Sequence, residues 1–162
     1  MNTQSVSGPG PRNQQRRLLL AVDETDSSRR AVMYVADFFG DYRDIFITLF
    51  SILPEPSEDY FASDEERRRW FDDQRRCREE VLADYRKILV GAGIRADRVE
   101  EHLVVRSCRS IGDAILEAQD ELRCCIVVLG RRGLSHEEEF IFGSTSSRII
   151  HHARHCAVMV VE

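Results

Sequence analysis

The sequence predicts one α/β domain of three layers, with a parallel sheet between two layers of helices. Its 162 residues match the length of a single ordinary domain. With 43% hydrophobic and 31% charged residues, the composition is that of a globular protein with a sizeable core. Five short apolar segments alternate with segments of helical periodicity, and that order is typical of right-handed βαβ units.

The first predicted elements follow a polar tail. Residues 1–16 are rich in Gly, Pro, Ser, Asn and Gln, so we expect a disordered tail there and a folded domain over residues 17–162. Leu18–Asp23 is an apolar run that ends in a carboxylate, as in strands that are buried on both faces. Ser27–Phe39 follows as a helix, because hydroxyl and acidic residues suit its N-cap and Gly40 suits its end. The side chains that predict its buried face are Ala31, Val35 and Phe38.

The rest of the chain continues the alternation. In chain order we predict a strand at Ile45–Leu53, a helix from Ser57 to about Val90, a strand at Val99–Val105, a helix at Ile111–Leu122, a strand at Cys124–Leu129, a helix at Ser144–Ala153 and a strand at Cys156–Val161. The long second helix is dense in charge, which could also indicate a coiled coil or a basic patch. Its charges are of both signs, however, so an amphipathic helix packed on the sheet is favoured. Its apolar face comprises Trp70, Cys77, Val81, Leu82, Tyr85, Ile88 and Leu89.

Charge and cysteine usage argue against several classes of function. Against 28 acidic residues, the 23 basic ones leave a net charge of −5, so we expect no nucleic-acid binding. Five cysteines without a C-x-x-C pair argue against a disulfide framework and a zinc site, and predict reduced thiols in the cytoplasm. No apolar run is long enough to cross a bilayer, so no membrane segment is expected. His151 and His155 have no further ligand at a suitable spacing, so we expect no metal site of the protein's own.

The loop after the fourth strand carries the strongest functional signal. Ligands of doubly wound sheets bind beyond the carboxyl ends of the strands, where the strand order reverses. Gly130 and Gly133 allow the backbone to approach a ligand closely, whereas Gly143, Ser144 and Thr145 bring N–H groups, hydroxyls and a helix dipole to one point. This arrangement predicts an anion site, although the spacing is neither that of a Walker A loop nor G-x-G-x-x-G.

The same residues carry a family resemblance. Gly130, two residues, Gly133, nine residues and then Gly143-Ser144 resemble the nucleotide-binding motif in the ATP-binding branch of the universal stress protein family. The first strand with its Ser-rich helix start is similar to the family as well, and so is the closing segment Ile149–Val161. The resemblance implies an adenine-nucleotide α-hydrolase-like fold with five strands in the order 3-2-1-4-5. It also implies an ATP-binding regulatory or protective module with at most slow hydrolysis.

The resemblance assigns the base side of the pocket to the first two strands. Ala21 and Val22 would line the base, and Asp23 would lie beside the nucleotide. Ile52, late in the second strand, would pair its backbone with adenine. An alternative for Asp23 is a plain N-cap carboxylate on the helix that follows.

The phosphate side of the pocket is assigned to the loop and to the helix after it. Gly130 and Gly133 would wrap the ribose and the α-phosphate, while Gly143, Ser144 and Thr145 would donate to the phosphates. Ser144 has the alternative role of a helix cap alone.

Acidic residues at both rims of this pocket depart from the family pattern. Glu137–Glu139, Glu24 and Asp26 would repel phosphates, by about 1 kcal/mol for each unit charge 4 Å away in water. Arg131 and Arg132 are expected to offset part of this charge, and a divalent cation would bridge carboxylates and phosphates. We therefore expect Mg²⁺ or Mn²⁺ to accompany the ATP.

Two other functions stay open. The acidic loop could have abolished the site, which would leave an ATP-independent dimeric interaction protein of the stress response. An α-hydrolase that cleaves ATP at its α-phosphate is disfavoured, because the loop after the first strand lacks glycine. The apolar fifth strand resembles the one that pairs across a two-fold axis in the family, which implies a homodimer through Val158 to Val161.

Overall fold

A parallel sheet forms the centre of the molecule. The structure is a computed structural model that describes residues 16–107, 110–131 and 144–162. Within them the strands are β1 (Arg16–Ala21), β2 (Ile45–Pro54), β3 (Val99–Arg106), β4 (Ile126–Gly130) and β5 (Ala157–Val161). All neighbouring strands are parallel, and their order is β3-β2-β1-β4-β5. The predicted three-layer fold and strand order are confirmed.

Helices cover both faces of this sheet. They are α1 (Asp26–Phe39), α2 (Asp64–Gly91), α3 (Ile111–Glu121) and α4 (Ser144–His152), with 3₁₀ turns at Glu58–Tyr60 and Ala96–Arg98. Alternate residues of β1 explain the two layers, since Leu18 and Leu20 pack with α1 and α2, whereas Leu19 packs with α3 and α4. A strand that is buried on both faces needs apolar residues at every position, and that is the pattern the sequence carries.

The first helix differs from its prediction at its buried face. Thr25 is the N-cap, with its Oγ1 accepting from the Ser28 N–H at 3.4 Å, so the helix begins at Asp26. Phe38 was predicted to be buried, but its side chain is 55% exposed and stacks on Tyr34, while Phe39 enters the core. The correction has a geometric cause, because Phe39 is four residues after buried Val35 and so continues the same face of the helix.

The long second helix starts later than predicted. It begins at Asp64 rather than near Ser57, because Ser63 caps it by accepting from the Glu66 N–H at 3.2 Å. Of its predicted apolar face only Leu82, Tyr85 and Leu89 are buried, and Cys77 is exposed.

Its amino-terminal half has a separate aromatic cluster. There Trp70 packs against Phe61 and Phe71, with ring centroids 5.6 and 5.1 Å away. The predicted amphipathic helix is therefore correct for its carboxyl-terminal half, where it contacts the sheet.

Several strand ends also differ by a residue or two. β1 begins at Arg16, inside the predicted tail, and ends at Ala21, so Val22 and Asp23 belong to the loop. β4 begins at Ile126 because that residue is the first to pair with β1, opposite Leu18. Cys124 before it is buried, which raises the pKa of its thiol to about 11.

Two further sequence predictions concern the amino-terminal tail and membrane segments. The remainder of the predicted tail, residues 1–15, lies outside the described residues. None of the helices in the described ranges has the length and apolar character needed to cross a membrane.

Candidate functional site

A cleft opens at the carboxyl ends of β1 and β4, next to the point where the strand order reverses. Its cavity volume is about 220 Å³. The lining residues are Ala21, Val22, Asp23, Ser27, Ser28, Phe50, Ile52, Pro54, Arg78, Ile111, Ile115, Leu129, Gly130, Thr145 and Ser146. Strands, the β1–α1 loop and four helices therefore all contribute to the wall.

Apolar side chains form one part of this wall. Ala21, Phe50, Ile52 and Leu129 come from the ends of three adjacent strands, and each is less than a tenth exposed. The Phe50 carbonyl accepts from the Val22 N–H at 2.9 Å and so points toward β1. Because alternate residues direct their backbone groups to the same side of a strand, Ile52 directs its own N–H and C=O toward the space beyond the end of β1.

Asp23 organises the loop between β1 and α1. Its Oδ1 accepts from the Thr25 N–H at 3.0 Å, from Thr25 Oγ1 at 2.5 Å and from Ser28 Oγ at 2.7 Å. The N–H of Asp23 donates back to Ser28 Oγ at 3.0 Å. The N-cap itself is Thr25, so Asp23 braces the cap and at the same time lies in the cleft wall.

The second helix holds the same loop by its backbone. The Tyr85 hydroxyl donates to the Asp23 carbonyl at 2.9 Å. Burial, and next the charge of Asp23, raises the pKa of Tyr85 above its usual value. The position of Asp23 is thus set by α2 as well as by β1.

Arg78 is a cationic member of the wall that the sequence analysis did not single out. Its guanidinium forms an ion pair with Glu24, with 2.5 Å between Nη1 and Oε2. A signal was present in the sequence, because Arg78 lies four residues before Leu82 and seven before Tyr85, on the face that faces the sheet.

Gly130 has a packing role in addition to the predicted contact with ribose. A Cβ at this position would overlap the backbone carbonyl of Ser27 and would lie 3.0 Å from the Ser28 nitrogen. Only glycine lets the end of β4 approach the start of α1 this closely.

The start of α4 forms another part of the wall. Thr145 and the buried Ser146 line the cleft there, and Ser146 was not predicted. Arg148 ties α4 to α3, because its Nε and Nη2 donate to the two oxygens of Asp113 at 2.7 and 3.1 Å. This hydrogen bonding holds the pKa of Asp113 below its usual value.

The structure brings six of the predicted ligand residues to one cleft: Ala21, Val22, Asp23, Ile52, Gly130 and Thr145. Ser144 is the first residue of α4. Arg132, Gly133 and Gly143 lie outside the described residues, as does the acidic segment Glu137–Glu139.

The predicted compensating role of Arg131 stays a prediction, and in the structure this residue contacts the end of β5. Its N–H donates to the Val161 carbonyl at 2.6 Å, and its guanidinium forms an ion pair with Glu162 at the carboxyl terminus. Part of its charge is thus compensated by Glu162, which follows β5.

A model of a known protein family matches nearly all of the chain. The model of the universal stress protein family matches residues 15–162. No curated protein sequence matches at a significant level.

Solved structures also match over most of the chain. The universal stress protein UspA from Lactobacillus plantarum is 16% identical with a TM-score of 0.75, over 92% of this chain and 99% of its own. A universal stress protein from Archaeoglobus fulgidus in complex with dAMP is 22% identical with a TM-score of 0.59, over 92% and 98%. A universal stress protein in complex with cAMP is 20% identical with a TM-score of 0.63, over 91% and 96%. At these identities the structural matches establish the fold.

Proposed function

The chain belongs to the universal stress protein family, and from this premise we propose that it binds an adenine nucleotide, ATP above all, in the cleft beyond β1 and β4. The nucleotide-occupied form would act as a regulatory or protective module in the stress response. Hydrolysis would be slow at most, because Asp23, the carboxylate of the described cleft wall, already accepts three hydrogen bonds through one oxygen.

The observation that supports this proposal is the combination of surfaces in one cleft. Its apolar strand ends, Ala21, Phe50 and Leu129, suit a nucleobase. The backbone edge of Ile52 offers one donor and one acceptor, which is the pattern that an adenine edge requires. The amino terminus of α4, with Thr145 and Ser146, suits a phosphate.

The relatives give independent support. Two solved universal stress proteins with the same fold are described as complexes, one with dAMP and the other with cAMP. Both ligands contain adenine and phosphate, the two groups for which we propose separate surfaces in this cleft.

The proposed Mg²⁺ or Mn²⁺ would enter with the nucleotide. Within the described residues there is no group of three or more His, Cys, Asp or Glu side chains that could hold a metal ion. Magnesium characteristically uses substrate phosphates and water with only one or two carboxylates, so a resident protein site is not required. Its chemistry here would be to neutralise phosphate charge, and the carboxylate among the described lining residues is that of Asp23.

We also propose that the protein is a homodimer through β5, which lies at one edge of the sheet. Its cytoplasmic location stays a prediction from its composition.

The proposed ligand can be identified directly. The protein is purified without added nucleotide and denatured, and the released small molecules are read by mass spectrometry; the proposal expects an adenine nucleotide. Calorimetric titration of ligand-free protein with ATP and Mg²⁺ then measures affinity.

A matched pair of variants locates the site. Ile111→Trp fills the cleft from α3 and should abolish binding, whereas Ile150→Trp on the exposed side of α4 should not. If the parent protein binds no nucleotide in either experiment, the ATP-independent interaction protein becomes the better explanation.

A further inference from the structure

Arg78 is a partly buried cation, and its counter-ion is half exposed to solvent. Its side chain is 14% exposed, while that of Glu24 is 55% exposed. Both contacts between them go to the one carboxylate, at 2.5 Å for Nη1 and 3.4 Å for Nη2. Of the two guanidinium nitrogens, only Nη1 therefore lies at a good hydrogen-bond distance from the carboxylate.

Separation of the ion pair would have a different free-energy cost for Glu24 and for Arg78. Glu24 is exposed and can exchange Arg78 for water, whereas the partly buried guanidinium has less access to water and is better compensated by another anion in place of the carboxylate. The loop itself does not depend on this pair, since its backbone is held through Tyr85 and the Asp23 carbonyl at 2.9 Å. The Glu24 carboxylate can thus separate from Arg78 without a change in the backbone that forms the wall of the cleft.

We propose that Arg78 recognises a phosphate group of the bound nucleotide, and that Glu24 is an internal competitor that occupies the guanidinium until this phosphate replaces it. This assignment rests on the proposed nucleotide-binding function, and it adds a recognition residue from α2 to the strand and loop residues considered above.

The chemistry of the cleft favours phosphate as the incoming group. Arg78 is a cation among the described lining residues, and a planar guanidinium binds phosphate through two parallel hydrogen bonds. The amino terminus of α4, at Thr145 and Ser146, supplies further donors to an anion in the same cleft. A nucleoside without phosphate has no charge with which to displace Glu24, so the pair would select nucleotides over nucleosides.

The test compares ATP, AMP and adenosine in calorimetric titrations of the full chain with Mg²⁺ present. Arg78→Gln should weaken ATP or AMP binding by at least about tenfold, the usual effect of losing a charged hydrogen bond, and leave adenosine unchanged. Arg76→Gln removes the same charge two residues earlier on α2, where the side chain is exposed and paired with Asp73, and should alter none of the affinities.

Glu24→Gln tests the competition. It should raise the affinity for ATP severalfold in the parent protein. It should have no effect in an Arg78→Gln background, because the guanidinium for which Glu24 and the phosphate compete is then absent. An equal rise in both backgrounds would show general repulsion by the carboxylate and would overturn the competitor role. Arg78→Lys keeps the charge but loses the two parallel N–H groups of the guanidinium, so its affinity for ATP should lie between those of the parent and Arg78→Gln. This variant replaces Arg78→Gln in the test if circular dichroism shows that Arg78→Gln is not folded.

The outcomes separate this inference from the function on which it rests. If the parent binds ATP and Arg78→Gln binds it equally well, the role of Arg78 is wrong and the nucleotide site stands. Equal losses for adenosine and ATP would identify Arg78 as a packing residue and overturn phosphate recognition. A parent that binds none of the three ligands overturns both proposals.

Discussion

The backbone carbonyl of Ser27 occupies the space that a side chain on Gly130 would need. Ser27 belongs to the first turn of α1 and Gly130 is the last residue of β4, so this approach fixes how the helix meets the sheet beside the cleft. A glycine that looks like a ligand contact in the sequence is thus required by packing before any ligand binds.

Gly130→Ala should destabilise the ligand-free protein. The obstacle is backbone, which cannot rotate away, so we expect a loss of about 1 to 3 kcal/mol in the free energy of unfolding. Urea denaturation followed by circular dichroism measures it. Gly91→Ala, at a position with open space around it, is the matched control and should be neutral or stabilising by up to about 1 kcal/mol. Equal stability of the two variants would contradict the packing role.

Two threonines should respond in opposite ways to the same substitution. The buried Oγ1 of Thr48 has no hydrogen-bond partner among the described residues, so Thr48→Val should stabilise the fold by about 1 kcal/mol. Thr25→Val removes the N-cap of α1 and should destabilise it by about 0.5 to 2 kcal/mol. Thermal unfolding of both variants checks the signs, and a destabilised Thr48→Val protein would show that its hydroxyl has a partner.

Acid should selectively weaken the contact between α3 and α4. Because Arg148 holds the pKa of Asp113 below its usual value of 3.8, the stabilisation is fully present above that pH and is lost as the pH falls through the folded-state pKa. Asp113→Asn should therefore be less stable than the parent at pH 7, with the difference shrinking below about pH 4. Arg148→Gln should behave alike, and the double variant should lose no more than either single one. A difference that is constant with pH would exclude the ion pair as its cause.

ATP binding should depend on a divalent cation. The protein has a net charge of −5, and each carboxylate about 4 Å from a phosphate costs about 1 kcal/mol in water. Titration in EDTA should give a weaker affinity for ATP than titration in Mg²⁺ or Mn²⁺, while adenosine should bind equally in both. Neutralising Glu137, Glu138 and Glu139 together should reduce the dependence on metal. If ATP binds equally well in EDTA, the carboxylates do not face its phosphates.

The strands were predictable because their burial on both faces leaves few alternatives. Ile45–Pro54 is continuously apolar apart from Thr48 and Ser51, and its predicted end was one residue short. The start of α2 was harder to predict from the sequence, since the charged residues before and after Ser63 fit a helix equally well. The hydrogen bond of the Ser63 cap sets the first residue of the helix.

The predicted site residues that the structure brings to the cleft lie at or next to the end of a strand, or at the start of α4. Asp23, Gly130 and Thr145 are examples. Arg78 reaches the same cleft from the middle of α2, through packing of Leu82 and Tyr85 on the sheet. Its spacing to these two residues indicates the helix face on which it lies but not the cleft that it lines. Helical periodicity also did not distinguish Phe38 from Phe39, because these adjacent aromatic residues of α1 compete for one buried position.

The remaining prediction concerns the outer edge of β5, the last strand in the order of the described sheet. The Ala157 N–H donates to Cys125 and the Val161 carbonyl accepts from Arg131, so both residues direct their backbone toward β4. Val158 and Val160 consequently direct their N–H groups outward, at an edge that carries no charge from Ala157 to Val161. Pairing of this edge across a two-fold axis would give a closed dimer.

Val160→Pro should convert the dimer to a monomer. Proline removes an outward N–H and adds bulk at the edge without removing a hydrogen bond to β4, and edge strands tolerate it. Val160→Ala keeps the N–H and should remain dimeric in sedimentation velocity. Val158→Asp with Val160→Asp should also dissociate the dimer, but both side chains pack against the core, so circular dichroism must show that this variant is folded. A parent protein that sediments as a monomer, or a Val160→Pro variant that stays dimeric, would contradict pairing through β5.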